Sequence, residues 1–169
     1  MLSVLAVAWA WLGVSVFLIS AIVKMSEVAW QLELAQLSVL QWLILGAWVS
    51  FMGFFEGYKG FQKGFSPRVA ARLLYLKDNV STLRLLLAPF FCLGYFQAPL
   101  RRKVFICCMT VLIVLIVALV KEVSAPWRQI IDAGVVVGLS WGLLAFWYFS
   151  YMSLSHNRFF VDPETSPQR

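Results

Sequence analysis

The fold is decided by residues 56–103, which open with EGYKGFQKGFSPRVAARLLYLK (56–77) and close with RRK (101–103). This basic stretch contains nine lysines and arginines and two acidic residues, a net charge of +7. The rest of the chain has five basic and six acidic residues, a net charge of −1. Long apolar segments flank the basic stretch on both sides. Because cytoplasmic loops of membrane proteins carry an excess of lysine and arginine, the sequence predicts a membrane protein with one basic face.

The composition excludes an ordinary soluble domain. The chain is 62% hydrophobic and 13% charged, whereas soluble domains are about half apolar and about a quarter charged. A chain of this size cannot bury so much apolar surface in its own core, so lipid must cover much of it. The length indicates a single helical membrane domain over residues 1–154. A polar tail, residues 155–169, follows it and is expected to be disordered.

Four segments are long and apolar enough to cross the hydrocarbon core of a bilayer, about 30 Å, as helices. They cover residues 2–23, 34–55, 104–120 and 130–154. The first has neither the basic start nor the small-residue cleavage site of a secretory signal, so we expect it to be retained. The predicted fold class is therefore an all-α membrane protein with four transmembrane helices.

The segment between the second and third spans is ambiguous. Leu85–Phe96 is apolar but only 12 residues long, about 18 Å as a helix, which favours a re-entrant or interfacial helical segment. The alternative is a full span over residues 80–100, which would give five spans. With four spans, the Arg101–Lys103 triplet lies on the same side as the earlier basic residues. Both termini are then cytoplasmic, and a bacterial inner membrane is the expected location.

The end of the second span is also open to two interpretations. Ser66-Pro67 is typical of a helix start, with serine as the N-cap and proline at the first position. Gly60 and Gly64 weaken an isolated helix, so a loop before that start is one possibility. The alternative is that the second helix continues beyond the membrane as an amphipathic collar, with Lys59 and Lys63 on one face.

The basic side chains have three interpretations. The positive-inside rule alone requires only a cytoplasmic loop with lysines. Attraction to anionic lipid is the second, and convergence of arginines on a phosphate group is the third. The candidate residues for binding an anion or a lipid headgroup are Lys59, Lys63, Arg68, Arg72, Arg84, Arg101 and Arg102.

Two further patterns lie in the fourth span. Gly134, Gly138 and Gly142 form overlapping G-x-x-x-G units, which let another helix approach closely. The partner helix belongs to this chain or to another subunit, and a cavity for a lipid tail or cofactor is the minor alternative. Arg128 and Asp132 are four residues apart, which predicts a local ion pair. A carboxylate at membrane depth also marks ion or proton paths in some proteins.

The sequence contains no metal-binding motif, no P-loop and no G-x-G-x-x-G pattern. Cys92, Cys107 and Cys108 have no metal-binding spacing and are expected to be buried and reduced. We therefore predict no catalytic residue, no metal site and no cofactor. Nucleic acid is not an expected partner, because it would compete with the membrane surface for the same basic face.

The leading functional hypothesis is a non-enzymatic subunit or accessory protein of an inner-membrane assembly. Its basic face would bind anionic lipid or an acidic partner, and its other partners would be membrane subunits or further copies of itself. The alternative is a small membrane enzyme or transporter for a phosphorylated lipid or solute. In that case Arg68, Arg72 and Arg84 would hold the phosphate, and Glu56 or Asp78 would handle protons.

Overall fold

A computed structural model describes residues 2–165, and this part of the chain contains helices but no strands. The last four residues of the predicted tail, 166–169, lie outside the described range. The helices in chain order are α1 (Leu2–Ala29), α2 (Val39–Met52), a π-helical segment (Gly53–Phe65), α3 (Ser66–Asp78), α4 (Thr82–Leu86), α5 (Ala88–Leu93), α6 (Leu100–Lys121) and α7 (Trp127–His156), with a short 3₁₀ turn at Leu34–Gln36 before α2.

Four helices are long and apolar enough to cross a membrane, as predicted: Leu2–Ala29, Val39–Asp78, Leu100–Lys121 and Trp127–His156. Each is longer than the apolar segment that predicted it. A helix is held together by hydrogen bonds of its backbone, so it can continue into polar residues beyond the apolar segment. The helical class is therefore confirmed, and the number of membrane crossings stays a prediction.

The second of these helices, Val39–Asp78, continues without a loop through Gly60, Gly64 and Ser66-Pro67. Ser66 has helical dihedral angles (φ −61°, ψ −44°), and its N–H donates to the carbonyl of Phe61, five residues earlier. Helix α3 therefore begins at Ser66, as predicted, but it continues the preceding helix without a loop. A capping signal is local and worth about 1 kcal/mol, whereas α3 is buried among other helices, and tertiary packing overrides such preferences.

Helix α7 runs beside this long helix in the same direction. Near the start of both, Trp48 Nε1 donates to the Ile131 carbonyl at 3.1 Å. Near their ends, Ser153 Oγ donates to the Ala70 carbonyl at 3.5 Å. Helix α1 closes the core with a stripe of four buried residues spaced by four, which meets α3, α5 and α7: Ala6, Ala10, Val14 and Leu18.

The segment between α3 and α6 folds back onto the bundle. Helices α4 and α5 have five and six residues, about 8 and 9 Å in length, which is too short to cross a bilayer. Trp9 Nε1 donates to the Leu86 carbonyl at 3.4 Å, and α5 ends at Gly94 with φ +92°, a conformation that suits glycine. The segment is thus short and helical, as expected, whereas its depth in the membrane stays a prediction.

Candidate anion-binding cleft

Three arginines converge on one small cleft at the end of the bundle. Arg68 and Arg72 lie one turn apart on α3, and Arg102 reaches the cleft from the first turn of α6. The cleft has a volume of about 20 Å³, and a segment of the C-terminal tail, Asp162–Glu164, lies along it. Three of the seven predicted anion-binding residues therefore share a site.

Arg72 is the buried centre of this cleft, with only 4% of its surface exposed. Its Nη1 donates to the carbonyls of Phe91 at 2.8 Å and Phe96 at 3.4 Å. Its Nη2 donates to the Glu164 carbonyl at 2.9 Å. Because buried polar groups must be paired, these carbonyls allow an arginine to sit inside the protein. They also fix the plane of its guanidinium group.

Arg84 is also buried, but it lies outside the cleft. Its Nε donates to Gln97 Oε1 at 2.6 Å and its Nη1 to the Asn79 carbonyl at 2.7 Å. The guanidinium carbon lies 5.3 Å from the centre of the Tyr75 ring. These bonds hold the irregular segment between α3 and α6 in place. Arg84 is thus paired within the protein, away from Arg68 and Arg102.

The other predicted basic residues point outwards. Lys59 Nζ lies 4.7 Å from the centre of the Phe55 ring, and Lys63 Nζ lies 4.6 Å from that of Tyr58. Both lysines and Arg101 are exposed. Cation–π contacts of this kind are worth about 0.5–1 kcal/mol at exposed sites. None of these three residues lines the cleft.

Two acidic residues of the tail complete the cleft, and the sequence analysis missed them. Arg102 Nε lies 3.7 Å from Glu164 Oε2, and Asp162 Oδ1 accepts a hydrogen bond from the Glu164 N–H at 2.7 Å. The described part of the predicted tail thus includes a segment, Asp162–Glu164, that packs against the bundle, and disorder of the tail stays a prediction. The sequence feature that could have predicted this contact is the pair of carboxylates on either side of Pro163, because the chain as a whole has a net charge of +6.

One cysteine also lines the cleft. Cys92 is buried, as predicted, whereas Cys107 and Cys108 are exposed on α6, so the expectation of three buried thiols was wrong for two of them. Burial raises the pKa of the Cys92 thiol, although the charge of Arg72 acts in the opposite direction. The thiol is therefore uncharged and adds no negative charge to the cleft.

The three predicted packing glycines lie against the long helix of the same chain. Gly134 faces Trp48, Gly138 faces Glu56 and Gly142 faces Phe61. A Cβ atom at Gly138 would lie 2.5 Å from Glu56 Oε2. This face of α7 is therefore filled from within the chain.

The acidic candidates for proton handling lie away from the arginines. Glu56 packs against α7, and its Oε2 atom is buried without a hydrogen-bond partner among the described residues. Asp78 is exposed at the last position of α3. Neither residue lines the cleft.

Arg128 and Asp132 face each other at the start of α7, as their spacing predicted. Arg128 Nε lies 3.9 Å from Asp132 Oδ2, and the aspartate side chain is 4% exposed. A contact of this length supplies charge attraction without a hydrogen bond. The pair lies at the end of α7 opposite to the cleft.

Comparison with known proteins adds no assignment to these residues. No protein-family model, curated protein or solved structure matches the chain. The functional conclusion therefore rests on the cleft and on the end of the bundle around it, called the basic end, where α3 and α6 bring together Arg68, Arg72, Lys77 and Arg102.

Proposed function

We propose that this protein is a non-enzymatic subunit or accessory protein of a bacterial inner-membrane assembly, and that its basic end binds anionic groups at the cytoplasmic surface. The observation that carries the proposal is the meeting of Arg68, Arg72 and Arg102 at one cleft, with an acidic segment of the same chain against them. Guanidinium groups suit carboxylate and phosphate oxygens.

The location of the basic residues supports this proposal. Lys77 Nζ donates to Asn157 Oδ1 at 3.1 Å, and Arg102 pairs with Glu164. The end of α3, the start of α6 and the segment after α7 are therefore neighbours. By the positive-inside rule this end would face the cytoplasm, where each basic residue near anionic lipid contributes about 1 kcal/mol.

The surface of α6 supports a role within an assembly. None of its residues is buried against the described part of the chain, and Leu112, Ile113 and Leu115 are among its half-exposed apolar residues. The glycine face of α7 is already filled by the chain itself. A neighbouring membrane subunit would therefore contact α6, and lipid would cover whatever part of this helix the subunit leaves exposed.

Native mass spectrometry of the protein, released gently from its own membrane, tests the proposal. We expect a reproducible mass increment from another polypeptide or a further copy, together with retained anionic lipid. A chain that carries neither would overturn the proposal.

A matched pair of variants tests the role of the basic end separately. Lys63→Gln removes an exposed charge of the basic stretch, and Lys121→Gln removes one at the far end of α6. We expect Lys63→Gln to lower retention of phosphatidylglycerol in mixed nanodiscs more than Lys121→Gln does. Equal effects would contradict a basic binding face.

A further inference from the structure

We infer that the cleft between Arg68, Arg72 and Arg102 binds a phosphate monoester, and that the tail segment Asp162–Glu164 is an internal ligand that competes for it. This inference rests on the proposed binding of anions at the basic end. It adds the chemical class of the ligand and a competitor built into the chain.

The first support is the preorganisation of the site. Two backbone carbonyls hold one side of the Arg72 guanidinium, so that its Nη2 points to the tail. Arg68 lies on the same face of α3, four residues earlier, and Arg102 comes from another helix. Groups held in place before a ligand arrives lose little conformational entropy on binding.

The second support is the poor match between the tail and the arginines. The Glu164 carboxylate lies 3.7 Å from Arg102 Nε and is 42% exposed, so it makes no close hydrogen bond there. Glu164 also has a positive φ of 49°, which is uncommon for residues other than glycine. The tail is thus held by one close hydrogen bond, from Arg72 Nη2 to the Glu164 carbonyl, whereas its carboxylate is poorly matched to Arg102.

The third support is the chemistry of the acceptor. Three arginines, Arg68, Arg72 and Arg102, line the cleft together with the carboxylates of Asp162 and Glu164. A phosphate monoester brings a charge of about −1.5 to −2 at neutral pH, close to that of the two carboxylates it displaces, and three strong acceptor oxygens on one group. Those oxygens suit several guanidinium groups at once, whereas the Glu164 carboxylate makes no close hydrogen bond with Arg102.

The size of the cleft implies that the two ligands exclude each other. With the tail in place the cleft has about 20 Å³ of free space, which is about enough for one water molecule. A phosphate group can enter only when Asp162–Glu164 moves away. The tail would then act as a removable lid whose carboxylates lower the apparent affinity for phosphate.

The phosphate monoester has two sources, which the test must separate. One is a lipid headgroup such as that of phosphatidic acid, and the other is a soluble phosphorylated compound. The full chain in phosphatidylcholine nanodiscs is titrated with inorganic phosphate at constant ionic strength. Its retention of phosphatidic acid is compared with that of phosphatidylglycerol, whose phosphate is a diester.

Neighbouring arginines provide a matched pair of variants. Arg102→Gln and Arg101→Gln remove the same charge from adjacent positions, but only Arg102 lines the cleft. We expect Arg102→Gln to weaken binding of the phosphate monoester about tenfold, as for the loss of one charged hydrogen bond. Arg101→Gln should leave it nearly unchanged.

Glu164→Gln tests the competing tail without touching the arginines. We expect this variant to bind the phosphate monoester several-fold more tightly, because it removes the carboxylate that opposes the ligand. An unchanged or lower affinity would overturn the competition.

The outcomes separate this inference from the proposed function. Binding of inorganic phosphate indicates a soluble ligand, and selective retention of phosphatidic acid indicates a lipid; either one, lost in Arg102→Gln, supports the site. Equal losses in Arg101→Gln and Arg102→Gln, with both anionic lipids retained alike, would overturn the site and leave the proposed function intact. A wild-type chain that binds neither phosphate nor anionic lipid would overturn both.

Discussion

Helices α3 and α6 show opposite relations between polarity and burial. α3 contains Arg68, Arg72, Lys77 and Asp78, yet nine of its 13 residues are buried. α6 is almost wholly apolar after its first turn, yet within the described part of the chain none of its 22 residues is buried. In water the apolar helix would go inside. In lipid an apolar helix gains little by leaving the bilayer, whereas buried arginines need the carbonyl partners that only the protein interior supplies.

The largest expected effect comes from removing the buried charge of α3. Arg72→Met removes the charged hydrogen bonds to the carbonyls of Phe91 and Phe96. Hydrogen bonds to charged groups are worth about 1.5–3 kcal/mol each, so we expect a loss of about 3–5 kcal/mol in the free energy of unfolding. Thermal unfolding in detergent, followed by tryptophan fluorescence, measures it. Arg101→Met is the exposed control, and an equal loss there would break the comparison.

The next effect comes from cutting back one leucine in each helix. Leu73 in α3 is fully buried, and Leu115 in α6 is 56% exposed. Leu73→Ala should destabilise the protein by about 2–5 kcal/mol through lost contacts and a cavity. Leu115→Ala should change stability by about 0.5 kcal/mol or less. Denaturant titration of both variants in the same lipid tests this, and similar losses would mean that α6 has a partner under those conditions.

A smaller effect tests the close packing of α7 against the long helix, by comparing a glycine in that interface with an exposed one. A Cβ atom at Gly142 would meet the ring of Phe61, whereas one at Gly46 has no described atom within 4 Å. Gly142→Ala should cost about 1–3 kcal/mol through overpacking. Gly46→Ala should be neutral or stabilise the helix by up to about 1 kcal/mol. Melting temperatures that change in the same direction would contradict the tight interface.

The smallest effect concerns one contact between α6 and the segment that follows α5. The Tyr95 hydroxyl and Thr110 Oγ1 are 2.7 Å apart. Such bonds between membrane helices average about 0.6 kcal/mol, so Tyr95→Phe should lower stability by about that amount. A double-mutant cycle with Thr110→Val isolates the pair. A coupling free energy near zero would show that this hydrogen bond does not help to hold α6.

Much of the fold could be predicted, because crossing a bilayer demands about 20 apolar residues in a row. Helix ends could not be predicted as well, since Ser66-Pro67 is a local stop-and-start signal that burial of α3 overrides. The candidate site was predicted in part. Arg68, Arg72 and Arg102 share a cleft, whereas Arg84 bonds to Asn79 and Gln97 instead. Sequence spacing places arginines on a helix but does not determine which carbonyl groups will surround them.

The sequence by itself determined that the chain has long helices apolar enough to cross a membrane and a net charge of +7 concentrated in residues 56–103. Both properties are sums over neighbouring residues, so they need no knowledge of packing. Only the tertiary structure decided that Arg72 lies within hydrogen-bond distance of Glu164, 92 positions away in the chain. That contact depends on how α3, α5, α6 and the tail pack together, because each supplies one wall of the cleft.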